Sequence, residues 1–299
     1  MKVVSCVPAA THMINSLGLD QFLSGVTFEC PSSKPKVVRS VLEDNQLTSS
    51  EINETVSEYM EEQKSLYYID QELLEQIEPD IMFTQHVCDV CQIGTSYVEK
   101  AIYKLSKQPK IVPLIPKNLN DIFDNVITVA KELGSEQKGI DAVKGYKDRL
   151  NQIQRKLMES NRRNSQVFFM EWINPIYNSG HWIPDLVHLA GGDDIFAKNE
   201  GHSNPIKWED LKQYDPEIII ISPCGYDRKK AVEEVKQLQQ LDGWKHLRAV
   251  NNNNVYLVDP NLFTQPSIGV IDGVELLAAL FHSDIISMPK HLTRKYIKI

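Results

Sequence analysis

The sequence predicts an α/β protein with two regions in which short strands alternate with longer helices. Short runs rich in Val and Ile alternate with amphipathic stretches, and this order is typical of βα units in a mostly parallel sheet. Runs such as Ile218–Ile221 are apolar at every position, which is typical of a sheet covered on both faces. A long stretch with helical periodicity and no strand separates the two regions.

The first region covers residues 1–117. Its predicted strands are short apolar runs bounded by polar or turn residues: Val3–Val7, Gly25–Phe28, Lys36–Val38, Asp80–Thr84 and Lys110–Leu114. Its predicted helices have apolar residues at helical spacing: Ala10–Leu17, Ser50–Gln63, Gln71–Ile77 and Ser96–Lys107. These elements predict an N-terminal α/β lobe.

Residues 118–160 predict a helical connector. Asn118 is a suitable N-cap for a helix over Leu119–Leu133, and Gly134 is a suitable stop. A second helix follows over Glu136–Met158 and leads into a polar connector. Because a helix of about 20 residues is about 30 Å long, this second helix is long enough to bridge two lobes.

Residues 161–299 predict a C-terminal α/β lobe. Further strands are expected at Gln166–Glu171, Glu217–Ser222 and Asn254–Val258. Further helices are expected at Pro184–Ala190, Lys229–Leu238 and Gly269–Phe281. The chain therefore divides into lobes at 1–117 and 161–299 with the connector between them.

An internal repeat relates the two lobes. Residues 72–81 and 209–218 share identical residues at one constant spacing: Glu72/Glu209, Leu74/Leu211, Gln76/Gln213, Pro79/Pro216 and Ile81/Ile218. Each copy predicts a short helix, a break at proline and a buried strand. Chance similarity between two helix–proline–strand units is the alternative explanation.

Composition excludes several classes of protein. The chain of 299 residues is 42% hydrophobic and 24% charged, which excludes a disordered or fibrous chain. The formal net charge of −8 argues against a general nucleic-acid binder. No apolar run reaches the roughly 18–20 residues that span a bilayer. The N-terminus lacks a long apolar segment and a cleavage site, so we expect a cytoplasmic protein, with a mature exported protein as the alternative.

The cysteines are candidate metal ligands. The odd count of five and the lack of an export signal favour reduced thiols over disulfides. Cys88 and Cys91 have the C-x-x-C spacing of a metal or redox pair, and Cys30 and Cys224 would complete a four-thiol set if the lobes face each other. The alternative is that each is a small buried hydrophobic residue.

Polar and aromatic residues collect after the predicted strands, where ligands bind in open α/β sheets. The candidate ligand-binding residues are Thr11, His12, Glu29, Arg39, Gln85, Glu171, Trp172, His181, Trp182 and Phe263. A surface ion pair is the alternative for Arg39, and packing in the lobe core is the alternative for the aromatic residues. No P-loop, GxGxxG motif or cysteine-nucleophile signature is seen, so no residue is assigned a catalytic role.

Several stretches resemble one known family. They are residues 3–11 with Leu17-Gly-Leu, Tyr68-Ile-Asp with 74–81, 173–180, 189–196, and Trp208-Glu209 with 215–219. In this order they resemble the cobalamin/iron-siderophore class of substrate-binding proteins that serve ABC transporters. The resemblance implies two Rossmann-like lobes joined by a long helix, as in class III periplasmic binding proteins. It also implies a ligand held in the cleft between the lobes and little hinge motion.

The same resemblance implies a ligand and a partner. The ligand would be a corrinoid (cobalamin) or another metal chelate, bound without catalysis. Glu72 and Glu209 match acidic positions that dock onto the permease, although the helix dipole alone also favours glutamate there. Members of the family are usually periplasmic or extracellular.

The sequence also departs from the family pattern. Gln85 and Glu171 stand where a B12-binding member has aromatic residues, and His12 stands where the family usually has glutamate. Thiols and carboxylates suit a metal centre better than a flat corrin face. The alternative function is therefore a cytosolic protein that holds a metal ion or iron–sulfur cluster through its cysteines, with a redox or catalytic role.

Overall fold

The predicted α/β class is confirmed by a computed structural model, which describes residues 1–43, 47–62, 64–85, 95–103 and 105–299. The chain forms two compact units. The first consists of Met1–Pro116 and Asn120–Val143, and the second of Lys117–Leu119 and Lys144–Ile299. One long helix contributes residues to both units. The boundaries predicted at 117/118 and 160/161 stay predictions.

The first unit contains six strands and the helices that connect them. The strands are β1 (Val3–Ser5), β2 (Leu23–Thr27), β3 (Lys36–Ser40), β4 (Tyr67–Ile69), β5 (Ile81–Gln85) and β6 (Lys110–Leu114). The helices are α1 (Pro8–Ser16), α2 (Ser49–Glu61), α3 (Gln71–Ile77), α4 (Thr95–Ile102), α5 (Leu119–Glu132) and the start of α6 (Glu136–Ser160). Each of the predicted strands and helices of this region is present with ends within two residues of the prediction, except that the helix predicted over Ser96–Lys107 ends at Ile102.

The sheet of the first unit has the order β4-β3-β2-β1-β5-β6. All neighbours are parallel except β3 and β4. Val4 of β1 and Met82 of β5 are fully buried and belong to a core that also contains Leu74 of α3. Burial on both faces explains why both strands begin with apolar residues at consecutive positions.

The second unit has a five-stranded sheet. Its strands are β7 (Ser165–Met170), β8 (Gly192–Asp193), β9 (Ile218–Ile221), β10 (Val255–Val258) and β11 (Tyr296–Lys298). Its helices are the remainder of α6, α7 (Ile183–Leu189), α8 (Trp208–Tyr214), α9 (Arg228–Leu238), α10 (Arg248–Asn251) and α11 (Gly269–Phe281). The strand order is β11-β10-β9-β7-β8, and only the β10–β11 pair is antiparallel.

The two copies of the repeat have the same local structure. Helix α3 ends at Glu78 and helix α8 ends at Asp215, and both of these residues adopt the left-handed conformation, with φ of 49° and 46°. A proline follows after each cap, and a buried strand, β5 or β9, begins two residues later. Aspartate tolerates this conformation because its short polar side chain can hydrogen-bond locally, which applies to Asp215 but not to the longer Glu78.

Three short strands and one short helix were not among the predicted elements. Strands β4, β8 and β11 have two or three residues each, and α10 has four. Segments of this length are too short to show a periodic pattern in the sequence. The strands among them also depend on a neighbouring strand for their hydrogen bonds. Within the described ranges, no helix is long and apolar enough to cross a membrane.

Candidate ligand-binding site

The carboxyl ends of the parallel strands in the first unit meet at one edge of the sheet. The strand order reverses at β1, which lies between β2 and β5. A reversal of this kind marks the position where open α/β sheets bind ligands. The residues predicted after these strands, Thr11, Glu29 and Gln85, therefore belong to one edge.

Cys30 and Thr11 are linked by a buried hydrogen bond at this edge. The Cys30 thiol donates to the Thr11 Oγ1 at 3.2 Å, and the Thr11 hydroxyl donates to the Ser5 Oγ at 2.9 Å. Cys30 and Thr11 are each only 2% exposed. Burial raises the pKa of the Cys30 thiol, so the thiol form predominates at neutral pH rather than the metal-binding thiolate.

Three other candidates of the first unit differ in exposure. Gln85, the last residue of β5, is buried, whereas His12 and Glu29 are of intermediate exposure. Burial lowers the pKa of His12, so its imidazole is neutral at pH 7. Glu29 follows β2 and its charge contributes to the raised pKa of the Cys30 thiol.

Arg39 has a different position from the one expected. It lies inside β3, because this strand continues to Ser40, two residues beyond the predicted end. Its Nε donates to the Glu43 carboxylate at 2.6 Å. The guanidinium therefore makes the ion pair that was the alternative explanation for this residue, and its role toward a ligand stays a prediction.

The second unit has its own strand-order reversal, between β7 and β9. Trp172 follows β7 and Tyr226 follows β9, and their rings meet edge to face with centroids 5.2 Å apart. The Trp172 indole donates to the Asn174 carbonyl at 3.2 Å, and the Lys230 Nζ lies 4.1 Å from the Tyr226 ring centroid. Trp172 is partly exposed whereas Tyr226 is only 5% exposed, so Tyr226 supports the Trp172 ring, which is the one of the two that can contact a ligand.

Glu171 holds two loop segments of the second unit together. Its carboxylate accepts the backbone N–H of Gly180 at 2.8 Å and a hydrogen bond from the Ser203 side chain. Burial is the largest cause that raises the pKa of Glu171, to about 7, and these two hydrogen bonds oppose it. The side chain is therefore poised to gain or lose a proton near neutral pH.

His181 and His202 stand beside each other at the same edge. Their ring centroids are 5.0 Å apart with the planes at 89°. His181 is partly buried and His202 is exposed. Burial, followed by the neighbouring His202, lowers the pKa of His181 to about 4, so His181 is uncharged at neutral pH. A neutral imidazole is the form that coordinates metals.

Trp182 and Phe263 were expected in a ligand wall or in the core, and the structure places both in the core of the second unit. Trp182 is 4% exposed and Phe263 is fully buried. The Trp182 indole donates to the Phe263 carbonyl at 2.7 Å, and the Phe263 ring packs against Phe169 at 5.3 Å. Packing in the core therefore accounts for both residues without a ligand.

Two of the four predicted cysteine ligands lie within the described residues, and they differ in exposure. Cys224 follows β9 and is exposed, and Cys30 is buried in the first unit. Cys88 and Cys91 lie outside the described residues. The proposal of a shared metal or cluster stays a prediction.

One surface group in the second unit has suitable ligand types for a metal. Asp272, Glu275 and His291 have ligand atoms within 4.8 Å of one another, and they are the one such group found in the described parts of the chain. Arg149 of α6 donates to both carboxylates, so a guanidinium already balances much of their charge. No metal site is assigned here.

The two predicted docking residues occupy equivalent positions in the repeat. Glu72 lies in the first turn of α3 and Glu209 in the first turn of α8, and both are exposed. Glu209 pairs with Lys212 at 2.9 Å one turn along the helix. Their role toward a partner stays a prediction.

Three residues of the second unit belong to this edge but were not predicted from sequence. They are Tyr226, His202 and Ser203. Tyr226 follows a strand by a few residues, which was the one local signal available for it. His202 and Ser203 reach the edge only because their loop packs against Gly180 and His181, which no local pattern reveals.

Two parallel-sheet units with polar and aromatic residues at their carboxyl edges define a small-molecule-binding α/β protein. The model of the family described as periplasmic binding protein matches residues 62–262. The chain belongs to the periplasmic binding protein family.

Two sequence relatives are described as transport proteins, one of an ABC transporter and one of a heme uptake system. The chain is 23% identical over 290 residues to YvrC, an ABC transporter substrate-binding lipoprotein of Bacillus subtilis, covering 95% of this chain and 80% of that protein. It is 27% identical over 143 residues to IsdE, a high-affinity heme uptake system protein of Staphylococcus aureus. The second match covers 45% of this chain and 49% of IsdE.

Two solved structures have the same fold. A periplasmic binding protein from Veillonella parvula superimposes with a TM-score of 0.70 at 18% identity, covering 94% of this chain and 91% of that one. The periplasmic vitamin B12 binding protein BtuF of Vibrio cholerae gives 0.66 at 19% identity, covering 94% and 96%. The expected cytoplasmic location is not supported, because these proteins are described as a lipoprotein or as periplasmic.

Proposed function

We propose that this protein is the substrate-binding protein of an ABC transporter and that it binds a corrinoid or another metal chelate. Membership of the periplasmic binding protein family over residues 62–262 carries this proposal. A permease is then the partner, and Glu72 and Glu209 are the residues that dock onto it. A protein with this function lies outside the cytoplasm, and this location replaces the cytoplasmic location expected from the sequence.

The carboxyl edge of the second unit supports binding of a large ligand. The partly exposed Trp172 ring, supported by the buried Tyr226 ring, supplies aromatic surface, and Glu171 and the two histidines lie in the loops beside it. Pockets for such ligands combine aromatic walls with a few placed polar groups.

The ligand class is supported by the relatives rather than by the residues alone. IsdE is described as a heme uptake protein and BtuF as a vitamin B12 binding protein. Heme and vitamin B12 are both metal complexes of large organic ligands. We therefore propose a metal chelate, with corrinoids as one member of the class.

An absorbance titration tests the proposal. Purified protein is titrated with cyanocobalamin, hemin, a ferric hydroxamate and a ferric catecholate. We expect one of these chelates to bind at 1:1 stoichiometry with a dissociation constant of about 1 μM or below, which corresponds to about −8 kcal/mol. Binding of none of them at concentrations up to about 1 mM, or about −4 kcal/mol, contradicts the proposal.

Substitution of an aromatic residue locates the site. Trp172→Ala removes one ring of the pair at the carboxyl edge, and we expect the bound chelate to weaken about tenfold, or about 1.4 kcal/mol. Trp208→Ala is the matched control, because Trp208 begins α8 and leads into the amino end of β9. Equal affinities for the two variants would mean that the ligand does not use the Trp172 edge.

A further inference from the structure

Two loop segments of the second unit hold His181 and His202 side by side. The backbone N–H of His181 donates to the Gly201 carbonyl at 2.7 Å, and the Glu200 N–H donates to the His181 carbonyl at 3.2 Å. A Cβ atom on Gly180 would lie 2.5 Å from the Ser203 nitrogen, so the segments are in direct backbone contact. The backbone contacts therefore fix the positions of the two histidine Cα atoms relative to each other.

The spacing of the rings matches that of two imidazoles on one metal ion. At metal–nitrogen distances of about 2.0–2.1 Å, two imidazole centres lie about 4.5–5.2 Å apart when the angle at the metal is about 90–110°. The observed separation of the centroids is 5.0 Å. Because the two backbones are already close, rotation of the side chains alone can bring one nitrogen of each ring onto one ion.

A single carboxylate braces both segments. Glu171 accepts the N–H of Gly180, the residue before His181, and a hydrogen bond from Ser203, the residue after His202. Glu171 is therefore a positioning residue for the pair. Glu171 bonds the residues next to the two histidines and not the imidazoles themselves, so it acts on the pair through the loop segments.

We infer that His181 and His202 bind one transition-metal ion at two adjacent coordination positions. The inference rests on the proposed function, because the ion is the metal of the transported chelate. In the parts of the chain that the structure describes, no third His, Cys, Asp or Glu forms a set of three possible metal ligands with these two imidazoles. The remaining donors come from the chelator, which is then an open-chain molecule that leaves two neighbouring positions of its metal to the protein.

This geometry separates two kinds of chelate. The flat ring of a heme or corrin fills the four positions in its plane, so each face has one axial position left. Two neighbouring imidazoles on one side of such a ring cannot both coordinate the metal. The pair therefore favours open-chain chelates over macrocycles.

Nickel(II)–nitrilotriacetate is a suitable probe, because this tetradentate chelator leaves two adjacent positions of the ion open. Tag-free full-length protein is titrated by calorimetry with this complex and, as a saturated control, with nickel(II)–EDTA. We expect 1:1 binding of the first complex and no binding of the second. Absence of nickel(II)–nitrilotriacetate binding by the folded wild-type protein overturns the inference.

Three variants assign the ligands. His181→Asn and His202→Asn are each expected to weaken binding of the probe at least about tenfold, because each removes one metal bond. Asparagine is chosen at position 181, where φ is 54°, because it tolerates the left-handed conformation. His188→Asn, at an exposed histidine on α7, is the control and is expected to bind as the wild type does.

The outcomes separate this inference from the proposed function. Thermal unfolding midpoints close to that of the wild type establish that the variants are folded. If hemin or cyanocobalamin binds with equal affinity to the wild type and both variants while the nickel probe does not bind, the inference fails and the proposed function stands. If probe binding is unchanged in both variants, the ions bind elsewhere and the inference also fails.

Discussion

The backbone N–H of Gly180 donates a hydrogen bond of 2.8 Å to the carboxylate of Glu171, nine residues earlier in the chain. This contact ties the residue that follows β7 to the loop that carries His181. Because Ser203 donates to the same carboxylate, one side chain fixes two loops of the candidate site. A partly buried carboxylate with this role makes the stability of the second unit depend on pH.

Glu171→Gln is expected to remove a pH dependence between pH 4.5 and about 7. The folded-state pKa of Glu171, about 7, lies above its ordinary value of 4.5. The folded state therefore binds the proton more tightly than the unfolded state, and the free energy of unfolding falls as pH rises through this window. Glutamine is never charged and avoids this loss, which we expect to be on the order of 1–3 kcal/mol.

Urea denaturation of both proteins at several pH values measures this difference. Asp194, whose pKa is raised to about 6 by burial, is present in both proteins, so its effect cancels. Wild-type and variant stabilities that run parallel from pH 4.5 to 7.5 would show that the pKa of Glu171 does not rise on folding.

Gly180→Ala is expected to destabilise the protein by about 1–3 kcal/mol, as overpacking does. The added Cβ would lie 2.5 Å from the Ser203 nitrogen and 2.7 Å from the Gly201 oxygen, and both are backbone atoms that have little freedom to move. Chemical denaturation measures the change.

Gly145→Ala is the matched control for this substitution. No atom lies within 4 Å of the position of its Cβ, and Gly145 is exposed within α6. We expect the control to stabilise the protein by about 0.5–1 kcal/mol, because alanine has the higher helix propensity. A neutral Gly180→Ala variant would mean that the two loops separate at little cost.

Arg149→Met is expected to lower the free energy of unfolding by about 1–3 kcal/mol, the range for hydrogen bonds to charged groups. The Arg149 Nε donates to Glu275 at 2.8 Å, and the guanidinium also pairs with Asp272. Without it the two carboxylates of α11 repel each other. Arg155→Met, at an exposed position on the same helix, is expected to change stability by less than about 0.5 kcal/mol.

The dependence of this stability difference on salt concentration shows whether the difference is electrostatic. These groups are only partly buried, so the difference between wild type and Arg149→Met is expected to shrink at high ionic strength. Equal stability of the two arginine variants at low salt would show that the Arg149 pairs contribute nothing measurable.

The described cysteines are expected to differ in their reactivity toward iodoacetamide. Cys224 is exposed, whereas Cys6 and Cys30 are buried. Burial raises the pKa of the Cys6 thiol to about 12 and also raises that of Cys30. Because the thiolate is the reactive form, peptide mapping of the native protein should find Cys224 labelled first.

Labelling in denaturant is the control for this experiment, and the three residues should then react at similar rates. Native-state labelling of Cys30 as fast as that of Cys224 would mean that the Cys30 thiol reaches solvent as a thiolate. In that case its predicted role as a metal ligand would gain support.

Charge reversal at the repeat should impair docking without changing ligand binding. Glu72→Lys and Glu209→Lys are each expected to reduce the ligand-stimulated ATPase activity of the reconstituted partner transporter, because an attractive charge pair becomes repulsive. The exposed neighbours Glu75→Lys and Asp210→Lys are the matched controls. Equal effects of all four substitutions would show that docking depends on the overall charge of the surface and not on positions 72 and 209.

The long helices and central strands were largely predictable from the sequence. Helices α3 and α11 and strand β6 have the predicted bounds, because apolar spacing and flanking turn residues mark them locally. Strand β11 was missed because its hydrogen bonds come from β10, about 40 residues earlier. A short edge strand is stabilised by hydrogen bonds to its partner strand, and its own sequence pattern does not mark it.

The sequence by itself determined the α/β class, the order of the main elements and the position of Glu171 and Trp172 after a buried strand. Tertiary structure decided which residues meet: Tyr226 beside Trp172, His202 beside His181, and Trp182 in the core rather than at an edge. The physical reason is the separation along the sequence of the residues that meet. Periodicity and burial patterns are properties of neighbouring residues, whereas these contacts join segments more than 20 residues apart through packing of whole loops.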